Sequence, residues 1–487
     1  MAEKSLKKNA ALNVIKTLMG ILFPLITFPY ASRILLPDGI GKVNFANSVV
    51  AYFAIFSSLG ISSYGIREAA KVRCDRGLLS KLVQELFLIN LFSTIVAYCF
   101  FFIALFFLPF LSSYRILLLV SGASMLLTTI GMDWLYSALE EFRYITIRTI
   151  IFQLISLCLL FIFVKTEDDY VKYAAISIIS TGGANVLNLI HSRKFVSFNF
   201  KIKMEFAKHI KPILILFATS LAASIFTTLD TSMLGVMTNA VEVGYYTAGV
   251  KIVRMIRDLF PAVFGVLFAR VSFYISSNEN DKLEQLAEKT FSFIFCFALP
   301  AVCGMIILMK PLIILLAGEN FFKAITVGRI LSPLVFISAC SGFLGGQILI
   351  SHRKDKTYLL SMVVAAMTNI VLNYIFIPQW GAIGAALGTV FAELAILVVD
   401  VISLRMFLRK LQWFRIGLQF LFATFVMGIC VYFIQKLFVY NIILQLSVSV
   451  FVGIFVYFFM LIVLKNTFIH CILNDIMSRV FKRIRNR

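Results

Sequence analysis

Charge is scarce in this sequence, and acid is scarcer than base. Only 14% of the 487 residues are charged, and 24 Asp and Glu stand against 45 Lys and Arg. With 60% hydrophobic residues and a mean hydropathy of +0.94, such a chain is excluded from the soluble globular class. Signatures of chemistry are also missing. No P-loop, G-x-G-x-x-G or H-E-x-x-H occurs, so nothing in the sequence points to nucleotide hydrolysis or metal catalysis. The four histidines lack ligand spacing, and the eight cysteines form no C-x-x-C and read as small buried hydrophobes. The expectation is a protein that is not an enzyme, with no catalytic residues, no metal, no cofactor and no nucleic-acid partner.

What the sequence does have is long apolar runs. The stretch from Leu86 to Leu108 exceeds the roughly 20 residues that span hydrocarbon as a helix, whereas barrel strands would alternate over about ten. Apolar runs broken by charge, Pro or Gly predict fourteen spans, near 11–34, 42–64, 82–109, 115–138, 145–164, 171–191, 212–234, 243–269, 290–316, 326–350, 358–377, 382–404, 416–435 and 442–464. Alternate loops are basic: Lys4 to Lys8, 67–81, Arg143 and Arg148, 193–211, 270–289, "HRKDK", 405–415 and the tail "RVFKRIRNR". The opposite loops carry only Lys42, Arg115, Lys165, Lys323 and Lys436. By the positive-inside rule the basic set and both termini face the cytoplasm. The basic N-terminus runs into an apolar segment without a small-residue cleavage site, and so reads as a retained first span.

The expected fold is an all-α polytopic membrane protein of about fourteen transmembrane helices. Residues 1–192 would form an N-terminal lobe, 193–211 a basic cytoplasmic linker and 212–410 a C-terminal lobe. Residues 411–464 would add a helix pair and 465–487 a basic tail. "GKVNFANSVVAYF" and "GYYTAGVKIVRMI" each follow an acidic-Gly turn at the start of a span, a faint repeat that suits two six-helix lobes around a central cavity.

Four stretches, "SLGISSYGIREAAKVR", "GMDWLYSALEEFRYITIR", "LDTSMLGVMTNAVEVGYYTAGVKI" and "NYIFIPQWGAIGAALGTVFAE", lie in register along the chain. In these the chain resembles the polysaccharide repeat-unit flippases, O-antigen type, of the multidrug/oligosaccharidyl-lipid/polysaccharide exporter superfamily. The resemblance implies a flippase in the bacterial inner membrane that moves undecaprenyl-pyrophosphate-linked oligosaccharide to the periplasmic leaflet by alternating access. It implies membrane lipids, a polysaccharide polymerase and chain-length machinery as partners.

Eight cations remain in or at the edges of spans: Lys16, Arg33, Lys172, Lys251, Arg254, Arg257, Lys310 and Arg329. Such residues face a bundle interior or a water-filled cavity. In "GVKIVRMIRDLF", Lys251, Arg254 and Asp258 fall within about 60° on one helix face. Lys251, Arg254 and Arg257, with Lys16, Arg33 and Arg329, are the candidates for binding a pyrophosphate, which arginine grips in bidentate fashion. Internal pairing is the alternative, and Asp133, Asp230, Asp258 and Glu393 are the candidates for a gate, pairing or coupling role. A cation-coupled multidrug exporter would want more acidic surroundings, and a peptidoglycan lipid II flippase would share the lipid pyrophosphate; both stay open. The short outward loops and the absence of D-x-D argue against a membrane glycosyltransferase.

Overall fold

The computed structural model describes residues 6–197, 204–437, 441–471 and 474, with side chains at 6–18, 21, 219, 222, 223, 225, 226, 262, 266, 414 and 415 outside the description. Every regular element among the described residues is helical. Hydrocarbon offers no water to replace a backbone hydrogen bond, and a helix satisfies its own within one segment. The chain divides into two compact units, Met1–Gly244 and Tyr245–Arg487.

The first unit holds α1 (Leu6–Ser58), α2 (Ile61–Val72), α3 (Arg76–Phe107), α4 (Arg115–Gly131), α5 (Asp133–Ala138) and α6 (Phe142–Phe163). It continues with α7 (Tyr170–Ile178), α8 (Ala184–Ser192), α9 (Ala207–Met237) and the start of α10 (Ala240–Arg257). Pro24 and Pro29 lie inside α1, which breaks at Leu36, between the first two expected spans, with a φ of 58°. The ring of Pro37 clashes with a helical conformation at the residue before it, so the break falls there. Beside this kink Gly41 and Gly244, equivalent positions of the faint repeat, meet each other's segments. A β-carbon on Gly41 would overlap the carbonyl of Ala240, and one on Gly244 that of Pro37. Only glycine permits that approach.

Trp134, a residue with the profile of an interfacial anchor, is instead buried among Ile61, Leu82, Leu86 and Leu135. Gly65 lies flat on its indole, where a β-carbon would come within 2.5 Å of the ring.

The second unit holds the rest of α10, then α11 (Phe260–Ser276), α12 (Asn280–Leu316), α13 (Phe322–Leu331), α14 (Leu334–Phe343), α15 (Asp355–Trp380), α16 (Ala382–Ser403), α17 (Arg405–Leu408), α18 (Trp413–Leu437) and α19 (Ile442–Val463). A π-helical turn, Leu344–Leu349, extends α14. Helices α15 and α16 form a tight hairpin about Gly381, at φ 55°. Gly384 seats the Phe376 carbonyl and Gly388 the Asn373 side chain, so the small-x-x-x-small spacing serves close packing.

Eleven helices among the described residues are long and apolar enough to cross a membrane. They differ from the fourteen expected spans at three places. The first two spans merge into one kinked helix, α9 includes undescribed side chains, and the span expected at 243–269 is two helices. Helix α10 stops at Arg257, and α11 starts at Phe260 with Pro261 in its first turn. Proline fits that position because the first turn leaves its N–H unused.

Candidate functional site

Helix α10 begins after Asn239, whose Oδ1 accepts the Glu242 N–H at 3.0 Å. Its break at Asp258 and Leu259 puts Arg254 and Arg257 in the last turn, where the C-terminal end of the helix dipole favours cations. Lys251 is half-buried and Arg254 is exposed. Arg254 has no ion-pair partner among the described residues. Arg257 is engaged: its Nη1 lies 3.8 Å from Glu393 Oε1 on α16, and its Nε lies 3.4 Å from Asp258 Oδ1. Glu393 is buried, so this guanidinium compensates a carboxylate that water cannot reach. Asp258 is exposed and sits in the turn after α10 rather than on a continuing helical stripe.

The other expected residues are dispersed. Arg329, on α13, donates from Nε to the Ile306 carbonyl at 3.1 Å. Arg33, in the first unit, folds back on the Pro29 carbonyl at 2.7 Å. Lys16 falls on the part of α1 whose side chains lie outside the described residues. Asp230 is buried on α9.

Asp133 belongs to a polar cluster that was only half visible in the sequence. Arg148 on α6, counted there among cytoplasmic loop charges, is buried. Its Nη2 donates to Asp133 Oδ1 at 2.5 Å and its Nη1 to Asn185 Oδ1 at 3.1 Å. Asn188 donates to the same Asp133 oxygen at 2.8 Å and to the Gly131 carbonyl at 2.6 Å. The missed signal was position: Arg148 lies inside the expected 145–164 span, where an arginine must find protein partners.

His209 also acquires a role. Buried at the start of α9, it meets Glu85 Oε2 at 2.8 Å through Nε2 and the Tyr64 hydroxyl at 2.8 Å through Nδ1. Glu85 accepts the Glu205 N–H as well, at 2.8 Å. The basic segment 193–211 is therefore anchored to α2 and α3 through Glu205 and His209. Lys81 hydrogen-bonds the exposed Glu205 and holds its carboxyl below the usual range.

In the second unit an apolar cavity of about 440 Å³ lies between α12, α18 and α19, lined by Phe297, Pro300, Leu308, Met427, Ile454 and Tyr457. Among the described residues no group of acidic, histidine and cysteine side chains could hold a metal ion.

Known proteins match this architecture. A chain named as an O-antigen transporter of Escherichia coli (strain K12) is 22% identical over 398 residues, which covers 80% of this chain and 94% of its own. The low-salt glycan biosynthesis flippase Agl15 of Haloferax volcanii is 22% identical over 240 residues, 49% of this chain and 50% of its own. Among solved structures, the lipid II flippase MurJ in an inward closed conformation has a TM-score of 0.70 at 17% identity, covering 98% of this chain and 99% of that one. An inward-facing MATE multidrug resistance transporter of the MOP superfamily has a TM-score of 0.65 at 15% identity, covering 82% and 98%. These two establish the polytopic all-α fold, and the resemblance to O-antigen type flippases holds. A family model described as polysaccharide biosynthesis protein matches residues 6–274, more than half of the sequence, and the chain belongs to that family.

Proposed function

We propose that this protein is a flippase that carries undecaprenyl-pyrophosphate-linked oligosaccharide repeat units from the cytoplasmic to the periplasmic leaflet by alternating access. The units would supply O-antigen, capsule or exopolysaccharide synthesis. The observation that carries this reading is Arg254, an exposed guanidinium without an ion-pair partner among the described residues, on a helix of a strongly apolar chain. Arg254 lies in the last turn of α10, and an arginine at membrane depth without a protein partner faces a water-filled cavity, where a bound anion is the natural compensation. A pyrophosphate offers paired oxygens to its planar fork. Lys251 and Arg257 share the helix, and Lys16, Arg33 and Arg329 add positive charge along the same chain. The apolar cavity against α18 and α19 suits a polyprenyl chain. Relatives named as O-antigen transporter and glycan flippase support transport over catalysis. The excess of Lys and Arg in alternate loops supports cytoplasmic termini, and in a bacterial inner membrane a polymerase and its chain-length machinery would take the product.

The test is translocation of a fluorescent undecaprenyl-pyrophosphate oligosaccharide in proteoliposomes, against empty vesicles and with ion gradients imposed and removed. Movement that requires the protein supports the reading. A lipid that stays put while a cationic dye moves would favour the multidrug exporter, and preference for lipid II would favour the peptidoglycan flippase.

A further inference from the structure

Helix α16 carries two buried carboxylates seven residues apart, Glu393 and Asp400, on one face and about 10 Å apart along the axis. The fold treats them differently. Glu393 has the guanidinium of Arg257. Asp400 is fully buried, and neither of its carboxylate oxygens has a hydrogen-bond partner among the described residues. Ser361 on α15 faces it, but that hydroxyl donates to the Tyr358 carbonyl at 2.8 Å.

The space around Asp400 is shaped. In the π-helical turn Leu344–Leu349, a β-carbon on Gly345 would lie 2.6 Å from Asp400 Oδ2 and 3.0 Å from the Tyr358 ring. Bare backbone at Gly345 is thus what admits the carboxyl group, in a helical irregularity of a kind that recurs at functional sites.

Charged and titratable groups on the elements packed against α16 offer no compensation. On α15, Tyr358 faces the carboxyl, while Asp355, Lys356 and Tyr374 are exposed. On α13, Lys323 lies over the Tyr245 ring and Arg329 binds the Ile306 carbonyl. Helix α14 contributes Cys340, α17 the exposed Arg405, and the π-helical turn no titratable group.

A carboxylate held dry without a cation or donor is an uncompensated buried charge. A proton on either oxygen removes the charge and needs no added room. A metal ion would need several converging oxygens, and the surroundings here are a glycine backbone, a ring edge and one engaged hydroxyl. We propose that Asp400 is the site where this transporter binds and releases the proton that couples transport to a proton gradient. It holds the proton in the conformation described here and ionises when α15, α16 and the Gly345 turn part enough to admit water. The proton comes from water on one side of the membrane and returns to water on the other, and no other group is altered. This rests on the transport reading above.

The experiment uses the full chain in liposomes and two readouts. Dicyclohexylcarbodiimide modifies protonated carboxyl groups in apolar surroundings, and mass spectrometry of the α16 peptide reports the modified residue. Labelling at Asp400 is expected at acid pH, to fall about tenfold per unit above its titration midpoint, and to be absent in Asp400→Asn. That variant, neutral and isosteric, should still equilibrate the lipid-linked probe but lose acceleration by a proton gradient. An unlabelled Asp400, labelling that is flat with pH, or an undiminished gradient response in Asp400→Asn each overturns the assignment. If Asp400→Asn does not fold, the pH profile of the wild-type label still decides. If the lipid probe stays put while a cationic dye moves in an Asp400-dependent way, the substrate reading fails and the proton site stands.

Discussion

Replacing Asp133 with alanine takes a carboxylate away from a guanidinium that the fold has buried. Arg148 is 6% exposed, whereas the Asp133 side chain is 56% exposed, so the two ends of the pair are not equivalent. The Nε of Arg148 already lacks a partner among the described residues. Stranding a buried charge costs about 3–5 kcal/mol in a closed interior, and water reaching the Asp133 side reduces that to about 2 kcal/mol. Arg148→Met removes the buried charge and fills most of its volume. It leaves an exposed carboxylate and one Asn185 acceptor without its donor, about 1 kcal/mol together. The difference of about 1 kcal/mol corresponds to about 2–4 °C in melting temperature for a unit of this size. Asp133→Ala should therefore melt below Arg148→Met, with Asp133→Asn between. The melt can be followed in detergent by the fluorescence of Trp134, which is buried in the same unit. Equal losses, or a larger loss for Arg148→Met, would refute the argument from burial.

Arg254→Ala should insert and fold normally yet lose translocation by about tenfold to a hundredfold, the worth of one hydrogen-bonded charge, with Arg254→Lys retaining part. An unimpaired Arg254→Ala removes the residue from the mechanism. Gly41→Ala and Gly244→Ala each drive a methyl group into a carbonyl and should destabilise the first unit by about 1–3 kcal/mol; a wild-type melting temperature for either would contradict the close approach. Arg257→Ala should destabilise the second unit by about 1–2 kcal/mol through the stranded Glu393, and a second change, Glu393→Gln, should restore part of that. Strictly additive losses in that double-mutant cycle would show that the two side chains do not interact.

The sequence by itself determined the membrane class, the helical architecture and the identity of the charges that needed explaining. A chain this apolar can satisfy its backbone in hydrocarbon only as helices or a closed barrel, its long unbroken apolar runs select helices, and cations such as Arg254 stand out in such runs whatever their partners. The resemblance carried by "LDTSMLGVMTNAVEVGYYTAGVKI" was legible for the same reason, since it lies in residue order. Tertiary structure decided where helices break and which charges are spent. The break at Leu36 falls between the first two expected spans, but that they continue as one kinked helix rather than two separated by a loop was not legible in the order of residues. Trp134 and Asp400 could not be assigned from pattern. In a soluble helix the apolar face marks the core, but a membrane helix is apolar on every side, so periodicity does not show which face meets protein and which meets lipid. The pairing of Arg257 with Glu393, the lone carboxyl of Asp400 and the Gly345 turn that admits it join residues 55 to 136 positions apart in the sequence. Only the packing of α10, α14, α15 and α16 brings them within reach.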